Sequence, residues 1–264
     1  MKFCDMHNDA VTSKKDWEKY AEINDKKGNI TVYALFYDGK NEKEIHAALP
    51  KLKNRFYSFE NIGYKNPDDI KNLVFSNKPL YASLTWNGEN YLAFGCNNND
   101  EGIKKEGLKI ISLLNEANII LDAAHLSRKA FFSVIEKADR VINSHTCFQS
   151  VQNHKRNITD EQIKAIIQKN GIIGLCLYSY FICGKKDGTI EDIVRHIDYF
   201  VQKFPFENLA IGTDFFGAED FAGNIKDYES LYKIVEKLQK LGYNDKVIKG
   251  IFYDNFLNFI NREY

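Results

Sequence analysis

Residues 2–9 read Lys-Phe-Cys-Asp-Met-His-Asn-Asp, a short and largely apolar segment that ends in potential metal ligands. Side chains two residues apart in a strand point the same way, so His7 and Asp9 can reach one metal ion. Imidazole and carboxylate together are the ligand mix of zinc and related divalent ions. One His-x-Asp pair is weak evidence for a metal site, and its weight depends on whether ligands follow other strands too.

Short β-rich segments alternate with longer amphipathic segments along the chain. The predicted strands are mostly apolar throughout, as in a parallel sheet buried on both faces, and span 2–8, 29–37, 54–60, 80–86, 118–124, 140–145, 171–179 and 208–214. The predicted helices span 41–53, 66–77, 102–117, 127–138, 159–170, 189–203, 226–241 and 244–262. The first connection, 10–28, is interpreted as a weak helix or an active-site loop.

This alternation predicts an α/β fold, a (β/α)8 TIM barrel, in a single domain over 1–264. A doubly wound sheet shares the pattern and remains the alternative. Cap signals support several helix boundaries. They are a capping box at Thr159 and Gln162, N-cap residues at Ser127 and Asn244, and a C-terminal glycine at Gly242.

Composition excludes several classes of protein. The 36 basic and 36 acidic residues balance, so neither nucleic acid nor an acidic membrane surface is an expected partner. The five cysteines show no CxxC spacing, which favours a reducing compartment. No apolar segment is long enough to span a bilayer, and the N-terminus has no signal-peptide pattern. We therefore expect a cytoplasmic protein.

The potential metal ligands recur where predicted strands end, the edge of a barrel at which active sites form. They are His7 and Asp9 after strand one, Glu60 after strand three, His125 after strand five, His145 after strand six and Asp214 after strand eight. Any one of them could instead cap a helix or bond a backbone carbonyl. Burying them all together without a cation would be costly, because unpaired charges are poorly solvated there. The set suits two divalent ions about 3.5–4 Å apart with a bridging hydroxide, and Asp214 could then move protons in amide or ester hydrolysis.

These residues resemble the membrane (renal) dipeptidases, peptidase family M19, within the amidohydrolase-like metal-dependent barrels. The matching segments follow the family's order from residue 2 to the C-terminus. They are Asp5-Met6-His7-Asn8-Asp9, the Glu60 strand, Leu84-Thr85-Trp86-Asn87-Gly88-Glu89-Asn90, Leu121-Asp122-Ala123-Ala124-His125-Leu126-Ser127, Ser144-His145, Arg156-Asn157, Gly212-Thr213-Asp214-Phe215 and the closing 247–259 helix.

The resemblance implies a binuclear site with zinc as the expected metal. His7 and Asp9 would bind one ion, His125 and His145 the other, and Glu60 would bridge them. Arg156 would hold the C-terminal carboxylate of a dipeptide substrate, a task that suits its planar fork. Asp214 would transfer protons and contact the substrate amine. The family often tolerates a D-residue at the C-terminal position, and a homodimer is its usual assembly.

Three departures from the family pattern bear on substrate range. Trp86 stands where renal-type enzymes carry a substrate-binding His, although bacterial relatives commonly share this Leu-Thr-Trp-Asn segment, and Trp86 is a candidate substrate contact. Phe216 stands where the family often has a second Asp. The usual Glu-Gly-Gly reads Glu60-Asn61-Ile62-Gly63 here. Two other functions remain open, deacylation of an N-acyl amino acid and a catalytically silent metal-binding barrel.

Overall fold

The chain forms a closed barrel of eight parallel strands in sequence order, in a computed structural model that describes residues 1–98 and 101–262. This confirms the barrel and excludes a doubly wound sheet. The strands are β1 (Cys4–Asn8), β2 (Ile30–Phe36), β3 (Phe56–Glu60), β4 (Tyr81–Ser83), β5 (Ile120–Asp122), β6 (Val141–Thr146), β7 (Ile173–Leu175) and β8 (Leu209–Ile211). Each lies inside its predicted segment, apart from one residue at the end of β6.

Helices surround the barrel and connect successive strands. They are α1 (Ala10–Ser13), α2 (Trp17–Lys27), α3 (Glu42–Ala48), α4 (Pro67–Asn77), α5 (Lys105–Glu116), α6 (Arg128–Lys137), α7 (Asp160–Gln168), α8 (Ser179–Cys183), α9 (Ile190–Lys203), α10 (Tyr232–Lys240), α11 (Asp245–Lys249) and α12 (Asn255–Ile260). A π-helical turn, Gly250–Asp254, interrupts the last predicted helix. Within the described residues, every helix is too short or too polar to cross a membrane.

The predicted caps are confirmed. Thr159 and Gln162 form the capping box of α7, and the side chains of Ser127 and Asn244 accept backbone N–H groups at the starts of α6 and α11. Gly242 follows α10 with φ +87°. Local capping chemistry therefore determines where these helices begin and end.

Of the two interpretations of 10–28, the loop is wrong and the helix is confirmed, because α1 and α2 occupy most of the segment. Helix α2 buries Trp17, Ala21 and Asn24, which are spaced to share one face, and ends at Gly28 with φ +73°. The amphipathic pattern of α2 is weak in the sequence, because its buried face consists of one large apolar residue, one small apolar residue and one amide. Tertiary packing of Trp17 compensates for the missing apolar stripe.

The barrel is closed at the end where the strands begin. Phe256 and Phe259 of α12 form one buried apolar cluster with Cys4, Met6 and Ile142. Polar side chains are thereby left to the opposite end, where the strands finish and a site can open to solvent.

Strands β6, β7 and β8 approach each other closely because of two glycines. A Cβ added at Gly174 or at Gly212 would lie 1.9 Å from the carbonyl oxygen of Ser144. Only glycine fits such a backbone contact without movement of the strand that carries His145.

We expect Gly174→Ala to lower the free energy of unfolding by about 1–3 kcal/mol, because the added methyl group overpacks the barrel interior. Urea denaturation measures this change. Gly88→Ala is the matched control, since a Cβ there meets no atom within 4 Å. Equal denaturation midpoints for Gly174→Ala and the wild type would contradict the close packing.

Candidate metal centre

The structure brings all five predicted ligands and Asp214 together at the carboxyl ends of the strands. His7 and His145 lie on β1 and β6, and Glu60 is the last residue of β3. The remaining three follow strand ends in short loops: Asp9 after β1, His125 after β5 and Asp214 after β8. The five predicted ligands are all buried, and Asp214, which is half-buried, lies in the same cluster.

The donor atoms of this cluster are within a few ångströms of one another. Nε2 of His7 lies 3.3 Å from Oδ2 of Asp9 and 3.4 Å from Oε2 of Glu60. The other Glu60 oxygen, Oε1, lies 3.0 Å from Nε2 of His125. Nε2 of His125 and Nε2 of His145 are 2.8 Å apart. Glu60 thus has one oxygen towards His7 and the other towards His125.

Two groups of three donors could each surround a cation. The ligand atoms of His7, Glu60 and His145 lie within 4.8 Å of one another, and so do those of His7, Asp9 and Asp214. Asp214 therefore stands among potential ligands, closer to a binding position than its expected role of proton carrier requires.

Hydrogen bonds to the three imidazoles leave each Nε2 facing the cluster. The Tyr81 hydroxyl donates to the Met6 carbonyl at 2.6 Å, so it accepts from Nδ1–H of His7 at 3.0 Å. Ser144 Oγ donates to Asp122 at 2.6 Å and accepts from Nδ1–H of His145 at 2.8 Å. Such outer contacts fix the tautomer in which Nε2 carries a lone pair, as in metal-binding histidines.

His125 is oriented by the same kind of contact. Its Nδ1 lies 2.8 Å from Oδ1 of Asn87, which can only accept a hydrogen bond. With Nδ1 as donor, its Nε2 also presents a lone pair, 2.8 Å from Nε2 of His145. Two lone pairs at this distance repel each other, and a cation bound by both nitrogen atoms would remove the repulsion.

One further observation indicates that these donor atoms suit a divalent metal. Nε2 of His7 and Oδ2 of Asp9 are buried, and neither makes a hydrogen bond with any part of the chain that the structure describes. Buried polar atoms without partners cost about 1–3 kcal/mol each. Ligation of a cation by both atoms would satisfy them.

Electrostatics favour neutral His125 and His145 beside an ionised Glu60. For His7, burial lowers the pKa, but Tyr81, Asp9 and Glu60 outweigh it and raise the pKa well above its ordinary value, so a bound cation would take the place of a proton on His7. Burial, and then the nearby Arg156, lower the pKa of His125 to about 4. Burial also lowers the pKa of His145 well below its ordinary value, with His7 adding to the effect. Both imidazoles are neutral at neutral pH, the form that binds metals. For Glu60, burial raises the pKa, but His7 and His125 outweigh it and the carboxyl stays ionised.

Whereas the pKa of Glu60 is lowered, the pKa of Asp214 is raised. Burial raises it well above the usual range of a carboxyl group, and the neighbouring Asp9 carboxylate raises it further. A carboxyl group with a raised pKa next to a potential metal centre can hold and release a proton, as general acid–base work requires.

Asp5 links the strand that carries His7 to the segment that carries Asp214, a role that the sequence does not reveal. It is buried and accepts hydrogen bonds from the Thr213 N–H (2.8 Å), the Thr213 hydroxyl (2.7 Å), the Tyr228 hydroxyl (2.8 Å) and the His7 N–H (3.2 Å). Strand β1 is thereby tied to the segment that carries Asp214. Its neighbours Cys4 and Met6 belong to the apolar cluster inside the barrel, so strand alternation places Asp5 on the other face of β1, towards Tyr228.

Two of the cluster residues have an uncommon backbone conformation. His125 has φ +66° and Asp214 has φ +62°, in the left-handed region that non-glycine residues seldom adopt. Residues held in this way concentrate at functional sites, because the surrounding structure must compensate the strain.

A cavity of about 720 Å³ opens above the cluster. Trp86 lines it, with its ring 6.2 Å from that of His125 and 5.7 Å from that of Phe36. Further aromatic and acidic residues complete the wall; they are Tyr178, Tyr180, Phe181, Phe216, Glu219 and Asp220, with His154 beside them. The volume suits a small peptide.

Arg156 is not among the described residues that line this cavity; it lines a smaller one that it shares with His125. Its Nη2 donates to the His145 carbonyl at 2.8 Å, and its Nε lies 3.2 Å from Nδ1 of His125. The side chain is buried, and its Cζ stands 5.7 Å from the ring of Phe181. The structure thus places Arg156 against His125, His145 and Phe181, which themselves line the large cavity.

Comparison with known sequences decides the family. The family model described as membrane dipeptidase, peptidase family M19, matches residues 76–263. The chain belongs to the M19 membrane dipeptidase family. M19 proteins are metallo-dipeptidases, hydrolases that act on peptide bonds, so the resemblance inferred from the sequence is confirmed.

Individual relatives of this M19 chain are distant. A protein in the pqqA 5′ region of Klebsiella pneumoniae is 26% identical over 184 residues, which cover 65% of this chain and 68% of that protein. Dipeptidase verJ of Clonostachys rogersoniana is 26% identical over 182 residues, which cover 67% of this chain. The match spans 46% of the length of verJ, less than half of that relative.

The barrel has clear structural counterparts. The metallopeptidase of Rhodobacter sphaeroides, crystallised with a phosphinate mimic of the dipeptide L-Ala-D-Ala, superposes with a TM-score of 0.88. The match covers 100% of this chain and 99% of that one at 16% sequence identity. At this identity the likeness establishes the shared fold of the M19 chain over its whole length.

Proposed function

We propose that this M19 chain is a metal-dependent dipeptidase that cleaves dipeptides with a free C-terminal carboxylate. The observation that carries the proposal is the set of Nε2 atoms of His7, His125 and His145, oriented with the Glu60 carboxylate into one buried cluster. This cluster forms the floor of a cavity that can enclose a dipeptide. Residues 1–264 would act as a single domain.

Two divalent ions, with zinc expected, would occupy the cluster. His7 and Asp9 would hold one ion, His125 and His145 the other, and the two oxygens of Glu60 would serve both. When bound, such ions polarise a carbonyl and bring the pKa of water towards about 7. The rest of the reaction depends on the protein side chains.

Asp214 would handle the protons. Its carboxyl group adjoins Asp9 and lines the cavity, with a pKa raised by burial. It would accept a proton from the attacking water and donate it to the nitrogen of the leaving amino acid. Because one group performs both transfers, no second acid is needed.

Arg156 would bind the substrate carboxylate. Nδ1 of His125 cannot donate to Asn87 and accept from Arg156 at once, so the tautomer that leaves Nε2 for a metal releases Nε of Arg156. The released guanidinium can pair with a carboxylate at the border of the cavity. Its planar fork matches the two oxygens of a free C-terminus.

We expect Arg156→Ala to raise KM for a dipeptide by about 10–100-fold, because a charge-assisted pair with the C-terminal carboxylate is lost. A dipeptide amide, which lacks that charge, should be cleaved equally by both proteins. Steady-state kinetics on the free acid and the amide measure the difference. Arg128→Ala is the control, since Arg128 lines the smaller cavity but is exposed.

An unchanged KM for the free dipeptide in a folded Arg156→Ala protein would contradict this binding pose. Arg156→Lys keeps the positive charge but not the planar fork, so its KM should lie between those of the wild type and Arg156→Ala. Faster cleavage of N-acetyl amino acids than of dipeptides would instead support the deacylase alternative.

A further inference from the structure

Three aromatic side chains form one wall of the cavity, beside the barrel strand β7. Tyr178, Tyr180 and Phe181 stand together; the Tyr178 ring is 5.4 Å from that of Tyr180 and 4.8 Å from that of Phe181. Tyr180 is 38% exposed, although it belongs to the cavity lining. Large aromatic surface left open in a concave site is a common means of binding an apolar group.

Hydrogen bonds beneath the rings hold this wall in place. The Ser179 N–H donates to the Asp220 carbonyl at 2.8 Å, and the Ser179 hydroxyl accepts the Gly188 N–H at 2.7 Å. The Asn157 amide donates to the Phe181 carbonyl at 2.8 Å. A wall fixed in this way loses little conformational entropy when a ligand binds to it.

The position of the wall relates it to one end of a dipeptide. The guanidinium of Arg156 lies 5.7 Å from the Phe181 ring, and the His154 ring lies 5.0 Å from it. If Arg156 holds the C-terminal carboxylate, the side chain on the adjoining Cα reaches the wall. The N-terminal residue then extends towards Asp214 and Asp9.

We propose that the substrates of this chain are dipeptides with an aromatic C-terminal residue, bound against Tyr178, Tyr180 and Phe181. The proposal rests on the dipeptidase function above and names its substrate class. Rings of the substrate and the wall would meet edge-to-face or offset, the arrangements that aromatic pairs prefer.

Charge at the cavity disfavours the two ionic alternatives. None of the described lining residues is Lys or Arg, and Arg156 would already be paired with the C-terminal carboxylate, so an acidic C-terminal side chain would find no further cation among them. Three of the acids in the lining, Asp9, Glu60 and Asp214, belong to the candidate metal cluster. Of the other two, Asp220 is paired with Lys186 at 3.2 Å, and Glu219 could attract a basic side chain. Glu219 is exposed, and an exposed ion pair contributes at most about 1 kcal/mol.

The test compares kcat/KM for L-Ala-L-Ala, L-Ala-L-Phe and L-Ala-L-Lys with the zinc-loaded protein. We expect Ala-Phe to exceed Ala-Ala by about tenfold or more, within the range that an apolar pocket provides. Ala-Lys has a side chain of similar length without a ring and should remain near Ala-Ala.

Substitutions in the aromatic wall test whether it is the source of the preference for Ala-Phe. Tyr180→Ala should lower the Ala-Phe to Ala-Ala ratio by about three- to tenfold, and Tyr180→Phe should retain it, because the ring and not the hydroxyl makes the contact. Phe75→Ala is the matched control, since Phe75 is 41% exposed on α4, outside the cavity lining.

Failure of this inference can be distinguished from failure of the proposed dipeptidase function. Cleavage of Ala-Ala at the same rate as Ala-Phe, fastest cleavage of Ala-Lys, or an unchanged ratio in Tyr180→Ala would overturn this inference alone. No cleavage of any dipeptide would overturn the proposed function, and the inference with it.

Discussion

Asp214→Asn is expected to lower kcat/KM for dipeptides by about 10²–10⁴-fold, because asparagine cannot accept and return a proton. The amide retains one oxygen in the position of the carboxylate, so the metal content should stay near that of the wild type. The two readouts together separate proton transfer from metal binding. Kinetics and elemental analysis on the same preparation measure them.

Asp139→Asn makes the same chemical change at an exposed position outside the cavity lining and should behave as the wild type. Wild-type turnover by Asp214→Asn would show that another group carries the proton. Loss of metal along with activity would show that Asp214 is a ligand, which its place beside His7 and Asp9 also allows.

Glu60→Gln is expected to have the larger effect, with loss of bound metal and a fall in activity of about 10³-fold or more, equivalent to several kcal/mol of transition-state stabilisation. The change removes a negative charge that stands between His7 and His125 without altering the size of the side chain. Metal titration and hydrolysis at increasing zinc concentration measure the loss and any partial recovery.

Glu116→Gln, at an exposed position on α5, is the control for this neutralisation. If Glu60→Gln bound metal as tightly as the wild type, Glu60 could not be a shared ligand. The two-ion arrangement would then be wrong, whatever the activity.

The clustering of the candidate ligands could be predicted from the sequence because strand ends are marked by composition. An apolar segment followed by His, Asp or Glu indicates both the strand and the side chain at its end, as at Glu60 and His145. Since all parallel strands of a barrel end on one face, separate segments identified a single site. The family resemblance pointed to the same residues.

The outer contacts could not be predicted in this way. Tyr81 and Asp122 support the cluster from within strands, where an aromatic or a buried polar residue has many possible partners. Which partner a buried hydroxyl or carboxylate meets depends on register across the barrel, and sequence periodicity does not determine register. The position of Arg156 behind His125 likewise depends on the loop after β6.

One departure from the family pattern has a structural explanation. Asn61 stands where the family usually has glycine, and its φ is +62°. Glycine adopts this conformation freely, and asparagine tolerates it better than most other residues. Asn61 also accepts the Trp86 N–H at 3.0 Å, so the substitution fixes the cavity wall that Trp86 forms.

The most direct test is the number of metal ions per chain, measured by elemental analysis after zinc loading and removal of excess metal, with Ala-Phe hydrolysis followed on the same sample. We expect about two ions per chain and turnover that disappears on chelation. Fewer than one ion per chain, or turnover unaffected by chelation, would contradict the assignment of His7, Asp9, Glu60, His125 and His145 as the metal centre of a dipeptidase.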